Sequence, residues 1–241
     1  MTDYRADFYA RYHLSIEPED LDLAHYDRYA REYGFRWGHW LPPDQGAVFL
    51  DLGCGHGEFL YFLRSRGYKN TYVVDLCEGE LARAQQLGMG NLICGNVFDY
   101  LPGQKERFEV ISALNFFEHL RKDEILKVLP LIHQALKPGG RLLAVTPNGV
   151  SPFGGASRYW DFSHETGFTP SSWRQLARLS GFKEARFEEY GPIPQSVLGA
   201  VRCALWQVVR LGLDMVSRLE LGRPRDLSRV YTADMKVILT K

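Results

Sequence analysis

The chain has 241 residues, 45% of them hydrophobic and 24% charged, and its 29 Lys+Arg against 29 Asp+Glu leave a formal net charge of zero. That length suits one sizeable core with at most a small second domain, and the missing basic excess speaks against a nucleic-acid partner. The four cysteines, Cys54, Cys77, Cys94 and Cys203, show no metal-ligand or redox spacing, and MTDYRADFYARYH is charged and aromatic where a secretory signal would be apolar, so reduced thiols and a cytoplasmic location are expected.

Residues 1–47 include HYDRYAREYGFRWGHWL and are expected to form a helical cap over the cleft that follows. From residue 48 short apolar runs alternate with helical patterns: VFLDL, GEFLYFLRSRG, TYVVDL, GELARAQQLG. Such alternation predicts parallel strands joined by helices, with both faces of the sheet covered. FEVISAL and RLLAVTP supply two further strands, and DEILKVLPLIHQALKPGG between them reads as a helix ended by Pro138, Gly139 and Gly140. SSWRQLARLSGF is another helix, stopped by Gly181, and ARFEEY and YTADMKVILTK are the last two strands. The expected organisation is a cap over 1–47, a core over 48–191, a helical insertion over 192–229 and a final core strand over 230–241.

In DLGCGHGEF, a strand ends and a helix begins, so Gly53, Gly55 and Gly57 lie where backbone must bend tightly and approach a ligand. Glycines alone admit several nucleotide-binding folds, or a plain tight turn. Asp51, just before the loop, is awkward against a pyrophosphate but suited to an ammonium group. Asp75 ends the next strand, where a carboxylate can accept from two ribose hydroxyls.

DLGCGHGEF, VVDL, CGNVFDYL, FEVISALNFFEHL and LKPGGRLLAVTPN together resemble the successive motifs of class I S-adenosylmethionine-dependent methyltransferases over roughly residues 46–190. The resemblance implies a Rossmann-like, doubly wound α/β fold: a mostly parallel seven-stranded sheet, helices on both faces and an antiparallel last strand. It implies S-adenosyl-L-methionine as cofactor and S-adenosyl-L-homocysteine as product. Asp51, Gly53, Cys54, Gly55 and Gly57 would line the methionine portion, Asp75 and Leu76 the ribose, Asn96 and Val97 the adenine, and Asn115 and Glu118 the region beside the sulfonium. Asn96 and Asn115 stand where the family often has Asp, and each reads equally as a turn residue at a strand end.

Methyl transfer to a hydroxyl needs alignment and a base. TPNGVSPFGGASRYWDFSHETGFT concentrates polar groups after the fifth strand. There His164 is the first candidate base, with Asp161 to orient it or to pin the loop, while Asn148, Arg158 and Tyr159 are candidate acceptor contacts. His119 in FFEHL is the rival base, or part of the cofactor pocket. SPFGGASRYWDFSHETGFTPSSWRQLARLSGF more narrowly resembles methyltransferases of bacterial surface-polysaccharide and related glycan clusters, and more distantly the ubiquinone-biosynthesis O-methyltransferases. That resemblance implies a sugar or lipid-linked glycan acceptor, a phenolic acceptor being the alternative. No carboxylate or histidine cluster shows ligand spacing along the sequence, so no metal is expected.

VLGAVRCALWQVVRLGLDMVSRLEL, residues 197–221, gathers most polar side chains on one half of a helical wheel, and Gly199 and Gly212 can split it into two pieces. Its arginines are too frequent for a membrane span. A lid or core helix, a homodimer face and a membrane-surface helix all remain open; six Arg against three acids between 195 and 230 give 6 − 3 = +3, which suits an anionic surface. A non-catalytic binding module that keeps the fold is the rival from another class.

Overall fold

The computed structural model describes residues 4, 8, 21–86, 88, 90–222 and 229–241. Of the cap expected over 1–47, residues 1–3, 5–7 and 9–20 lie outside them, as do residues 223–228 of the insertion. The strands are β1 (Val48–Leu52), β2 (Asn70–Asp75), β3 (Leu92–Cys94), β4 (Phe108–Leu114), β5 (Leu136–Pro147), β6 (Glu184–Glu189) and β7 (Asp234–Thr240). They form one seven-stranded sheet in the order β3-β2-β1-β4-β5-β7-β6. β1 runs parallel to β2 and β4, β2 runs parallel to β3, and β6 pairs antiparallel with β7. This is the doubly wound α/β class with its last strand reversed. The order turns around between β1 and β4, and at such a reversal the loops after the strands diverge and leave room for a ligand.

Two compact units divide the chain, one from 1–114 with 130–142 and the other from 115–129 with 143–241. In the first, α1 (Leu23–Trp37) starts at Asp22, whose side chain accepts from His25 N and caps one of the open amides of the first turn. α1 buries Tyr26, Tyr33 and Trp37, and the Tyr33 ring meets Phe59 and Phe62 of α2 (Glu58–Ser65) edge-on or tilted. α3 (Glu78–Gln86) and the short α4 (Val97–Tyr100) follow β2 and β3. α5 (Lys122–Ala135) runs from the second unit's sequence into the first.

β5 begins at Leu136, earlier than the expected strand start at Arg141, because LKPGG is extended instead of ending the helix. Gly140 explains why glycine is needed there: a Cβ would lie 3.1 Å from the carbonyl oxygens of both Phe108 and Glu109, so the two backbones approach too closely for a side chain.

The second unit adds α6 (Gly154–Arg158), α7 (Pro170–Leu179) and α8 (Val197–Leu221). Thr169 and Ser172 form a reciprocal capping box at the start of α7, with Pro170 in the first turn. Trp173 of α7 is fully buried, stacked on Phe168, edge-on to Phe117, and its indole N–H donates to Thr146 Oγ1 at 3.2 Å.

α8 is one continuous helix of 25 residues and is not split at its glycines. Gly199 is required for another reason, since a Cβ there would lie 2.6 Å from Ile193 O, whereas Gly212 faces open space. The helix is also turned the opposite way from an ordinary amphipathic surface helix. Trp206 Nε1 donates to Glu189 Oε2 at 2.9 Å, Tyr231 Oη donates to Asp214 Oδ1, and Arg210 approaches Glu189, so a polar face meets the body of the unit. Val197, Leu198, Val201, Leu205, Val208, Met215 and Leu219 are exposed to solvent. A core or lid helix would bury that face.

Candidate functional site

In the first unit the cofactor loop follows from register. Asp51 of β1 is aligned with Val73 of β2 on one side and Ser112 of β4 on the other. Side chains alternate along a strand, so Asp75, two residues past Val73, points to the same side as Asp51. Gly53, Gly55 and Gly57 all have positive φ, at 72°, 50° and 85°, a conformation in which a Cβ is strained. Nothing lies within 4 Å of the position a Gly55 Cβ would take. Gly57 then caps α2 in the left-handed region.

The loop is latched at several points. Asp75 Oδ2 accepts from Cys54 N at 2.9 Å and its Oδ1 from Cys77 N at 2.8 Å. His56 Nδ1 lies 2.7 Å from Glu80 Oε2, and Tyr26 of α1 donates to His56 O. Glu58, first in α2, is bonded by His25 Nε2 at 3.0 Å. The part of the expected cap that is described therefore holds the loop through Tyr26 and His25.

Asp51 is almost fully buried, and its Oδ1 accepts a 2.5 Å hydrogen bond from Ser112 Oγ. Burial pushes its pKa up to about 7; the Ser112 bond opposes this, and the negative charges of Asp75 and Glu58 reinforce it. Burial likewise raises Asp75, against the two amides that favour its charged form. The Cys54 thiol is driven upward by burial and then by Asp75, Asp51 and Glu80, so it stays protonated. A buried carboxylate whose charged neighbours are acids fits a cationic ligand and repels a pyrophosphate. These residues fit S-adenosylmethionine: Asp51 for the ammonium end, Asp75 for ribose hydroxyls through its remaining lone pairs. When bound, that cofactor supplies an electrophilic methyl group on a sulfonium.

The other expected cofactor residues are less alike. Leu76 is exposed beside Asp75. Asn96 caps α4 by accepting from Phe98 N at 3.0 Å, while Val97 is buried. Asn115, in the second unit, takes a positive φ of 54° after β4 and donates its N–H to Val145 O. Both asparagines thus do the turn work open to them. Ser112 was missed; a lone hydroxyl in the apolar run FEVISAL was the available signal, since a buried polar group needs a partner.

In the second unit the loop after β4 and the loop after β5 meet. Glu118 O accepts from the N–H groups of Glu165 and Thr166, and Thr166 Oγ1 donates to Leu120 O. Asp161 Oδ1 accepts from Ser163 N and Ser163 Oγ, both at 2.7 Å, and His119 Nδ1 lies 2.8 Å from the same Oγ. A chain thus runs from Asp161 through Ser163 to His119, while His164 meets Asp161 through its backbone N–H, which donates to Asp161 O at 3.3 Å. Ser163 is fully buried and was missed; the Asp161 to Ser163 spacing of an Asx-turn was its only trace in the sequence. His164 Nδ1 lies 3.1 Å from Arg158 O, and the Arg158 guanidinium donates to His164 O at 2.6 Å. The two imidazoles meet edge-on with centroids 4.8 Å apart.

Burial lowers the His119 pKa to about 4, aided by His164 and opposed by Asp161. Burial raises Glu118 to about 8, partly offset by its own backbone amide and reinforced by Asp234 and Asp161; its Oε2 has no hydrogen-bond partner. One ligand atom from each of Glu118, His119 and His164 lies within 4.8 Å of the others. Spacing along the chain gave no hint of this group, because its two loops are 44 residues apart at His119 and Ser163.

Two substrate expectations change. Asn148 is fully buried, with Nδ2 donating to Val230 O and Thr232 O and Oδ1 accepting from Val150 N, so its amide is spent tying the end of β5 to the segment before β7. Arg158 is engaged with His164 and stacks its guanidinium 5.2 Å from the centre of Tyr159. Tyr159 itself is 81% exposed, beside the still more exposed Trp160 and the exposed Phe162.

A glycine turn with positive φ at three alternate residues, flanked by Asp51 and Asp75 on adjacent strands, defines a nucleoside-binding α/β protein built for a cationic cofactor. Residues 25–185 match the profile of the methyltransferase domain family, and the chain belongs to that family; its cofactor is S-adenosyl-L-methionine. The chain is 28% identical over 159 residues to a sarcosine/dimethylglycine N-methyltransferase of Halorhodospira halochloris, covering 62% of this chain and 56% of that protein. It is 35% identical over 104 residues to a caffeate O-methyltransferase-like protein 2 of Oryza sativa subsp. japonica, covering 42% of this chain and 28% of that one. It thus spans between about a quarter and about half the length of these relatives. A SAM-dependent methyltransferase from Archaeoglobus fulgidus has the same fold, with a TM-score of 0.65 and 20% identity over 88% of this chain and 94% of that one.

Proposed function

We propose that this protein transfers the methyl group of S-adenosylmethionine to an oxygen of a sugar or glycan-type acceptor, with His164 accepting the hydroxyl proton. The observation that carries this is the Arg158 clamp on His164. A carbonyl can only accept, so His164 Nδ1 carries the proton directed at Arg158 O and its Nε2 keeps the lone pair a base needs. His119 is the poorer base, since burial holds its pKa near 4 and a group so acidic gains little by taking a proton.

Tyr159, Trp160 and Phe162 support a sugar acceptor. All three side chains are exposed on the same loop as His164, and flat aromatic rings pack well on the apolar faces of sugar rings. The likeness to a caffeate O-methyltransferase-like protein favours a phenolic acceptor as the second reading. Asp51 and Asp75 weigh against a binding module without catalysis.

α8 supports a lipid-linked acceptor. No helix among the described residues is long and apolar enough to cross a membrane. The outward arc of α8 is apolar for the whole helix, about 37 Å at about 1.5 Å per residue, with Arg202 and Arg218 along its two edges. An apolar face of this length, with Arg202 and Glu220 exposed on one edge and Arg218 paired with Asp214 on the other, is matched to a lipid surface.

The deciding experiment is transfer of radiolabelled methyl to a panel of sugar nucleotides, lipid-linked sugars and catechols. Label on a sugar oxygen supports the proposal. Label on catechols alone gives the phenolic reading, and absence of cofactor binding by calorimetry would return the binding module.

A further inference from the structure

We infer that Glu118, His119 and His164 form a binding site for one divalent transition-metal cation, zinc above all, and that the cation excludes His164 from acting as a base. The site stands on its own geometry, whereas its effect on turnover rests on the function proposed above.

The donor atoms are gathered already. One ring nitrogen from each histidine and one carboxylate oxygen lie within 4.8 Å of one another. Ligands on a tetrahedral zinc with bonds of about 2.1 Å are about 3.4 Å apart, so small side-chain rotations close the set. Two neutral imidazoles and a carboxylate suit zinc and its neighbours in the first transition row better than magnesium. Three protein ligands also leave a fourth position open.

Both imidazoles are held as metal ligands usually are, with the non-ligating N–H engaged elsewhere. The single proton of Ser163 Oγ goes to Asp161, so that oxygen accepts from His119 Nδ1–H. His164 Nδ1–H is directed at Arg158 O. The His164 ring therefore keeps its lone pair on Nε2. Independently, Glu118 is 1% exposed and its Oε2 has no hydrogen-bond partner. A buried acceptor without a partner is rare, and a cation would satisfy it.

Binding needs no redox change; the cation exchanges bound water for the three side chains, and the proton that Glu118 holds below its raised pKa is released to solvent. The Nε2 pair of His164 can hold the cation or a proton, not both, so the occupied site cannot take a proton from an acceptor hydroxyl.

The test uses the full chain freed of metal by dialysis against a chelator. Cobalt(II) serves as the spectroscopic probe and zinc(II) as the calorimetric one. One equivalent of cobalt should give visible bands of low-coordinate geometry, lost in His164→Gln and Glu118→Gln, and zinc should bind one to one. Ser163→Ala removes no ligand but frees the His119 ring, and should weaken zinc binding by about 10- to 100-fold. Thermal melts of each variant separate loss of the site from loss of the fold. Stoichiometric zinc should abolish methyl transfer, and chelator should restore it. No cobalt spectrum in the folded wild type, or one unchanged in both ligand variants, overturns the site and leaves His164 as base untouched. Tight zinc binding with undiminished turnover overturns the exclusion, and His164 as base with it.

Discussion

Arg158 and His164 hold each other twice: the imidazole Nδ1 lies 3.1 Å from the Arg158 carbonyl, and the Arg158 guanidinium donates to the His164 carbonyl at 2.6 Å. A base positioned this way has its tautomer fixed by backbone. His164→Gln should lower kcat by about 10²- to 10⁴-fold while leaving cofactor affinity unchanged. Near-normal turnover, with cofactor binding checked by calorimetry, would remove His164 as the proton acceptor.

Asp51 should make cofactor binding depend on pH. Its pKa is raised to about 7 by burial, so in the free protein a proton must leave before the carboxylate can pair with an ammonium. Affinity should rise with pH up to about 7 and then level, falling by up to about tenfold per unit below that point. Asp51→Asn should flatten the profile and weaken binding by about 10- to 100-fold, the loss of one charge-assisted bond. Calorimetry from pH 5.5 to 8.5 reads both effects, and a slope that survives in the variant would assign it elsewhere.

Glu118 acts on stability. Its folded pKa is raised from 4.5 to about 8, so the folded chain keeps a proton that the unfolded chain releases between those values. Its stabilising contribution is complete below pH 4.5 and lost as pH rises through 8, by up to about 1.4 kcal/mol per unit within the window. Glu118→Gln, uncharged throughout, should melt higher than the wild type at pH 8.5 and lose less of its Tm between pH 5 and 8.5. Equal slopes in the two proteins would exclude Glu118 as the source.

Asn148 should prove structural. Asn148→Ala leaves Val230 O and Thr232 O without their donor, at a cost of about 1–3 kcal/mol for each buried group left unpaired. The expected result is a much lower Tm with an unchanged Michaelis constant for the acceptor at low temperature. A large rise in that constant with a normal Tm would restore Asn148 as an acceptor contact.

Leu205→Glu and Val208→Glu place charges in the outward arc of α8. Both should abolish flotation with anionic liposomes while shifting stability by no more than about 0.5 kcal/mol, as surface substitutions do. A stable wild-type dimer that dissociates in these variants, with no liposome binding by the wild type, would make the face a contact between copies.

The chain's local pattern was enough for the β1–loop–α2 unit, because a strand end, alternate glycines and a helix start are near neighbours whose conformations are set by short-range sterics. The shared face of Asp51 and Asp75 was legible for the same reason: one stands a residue before the end of β1, the other ends β2, and strand periodicity fixes the face each occupies. Tertiary structure alone decided which groups became partners. Ser112 reaches Asp51 only through the β1–β4 register, Ser163 reaches His119 only where two loops meet, and the amide of Asn148 is consumed by carbonyls from the far end of the chain. α8 shows the limit most plainly. Residues 197–221 declare a polar and an apolar face by their 3.6-residue period, but that period has no bearing on which face meets the protein, and Glu189, Tyr231 and Arg229 turned the polar one inward.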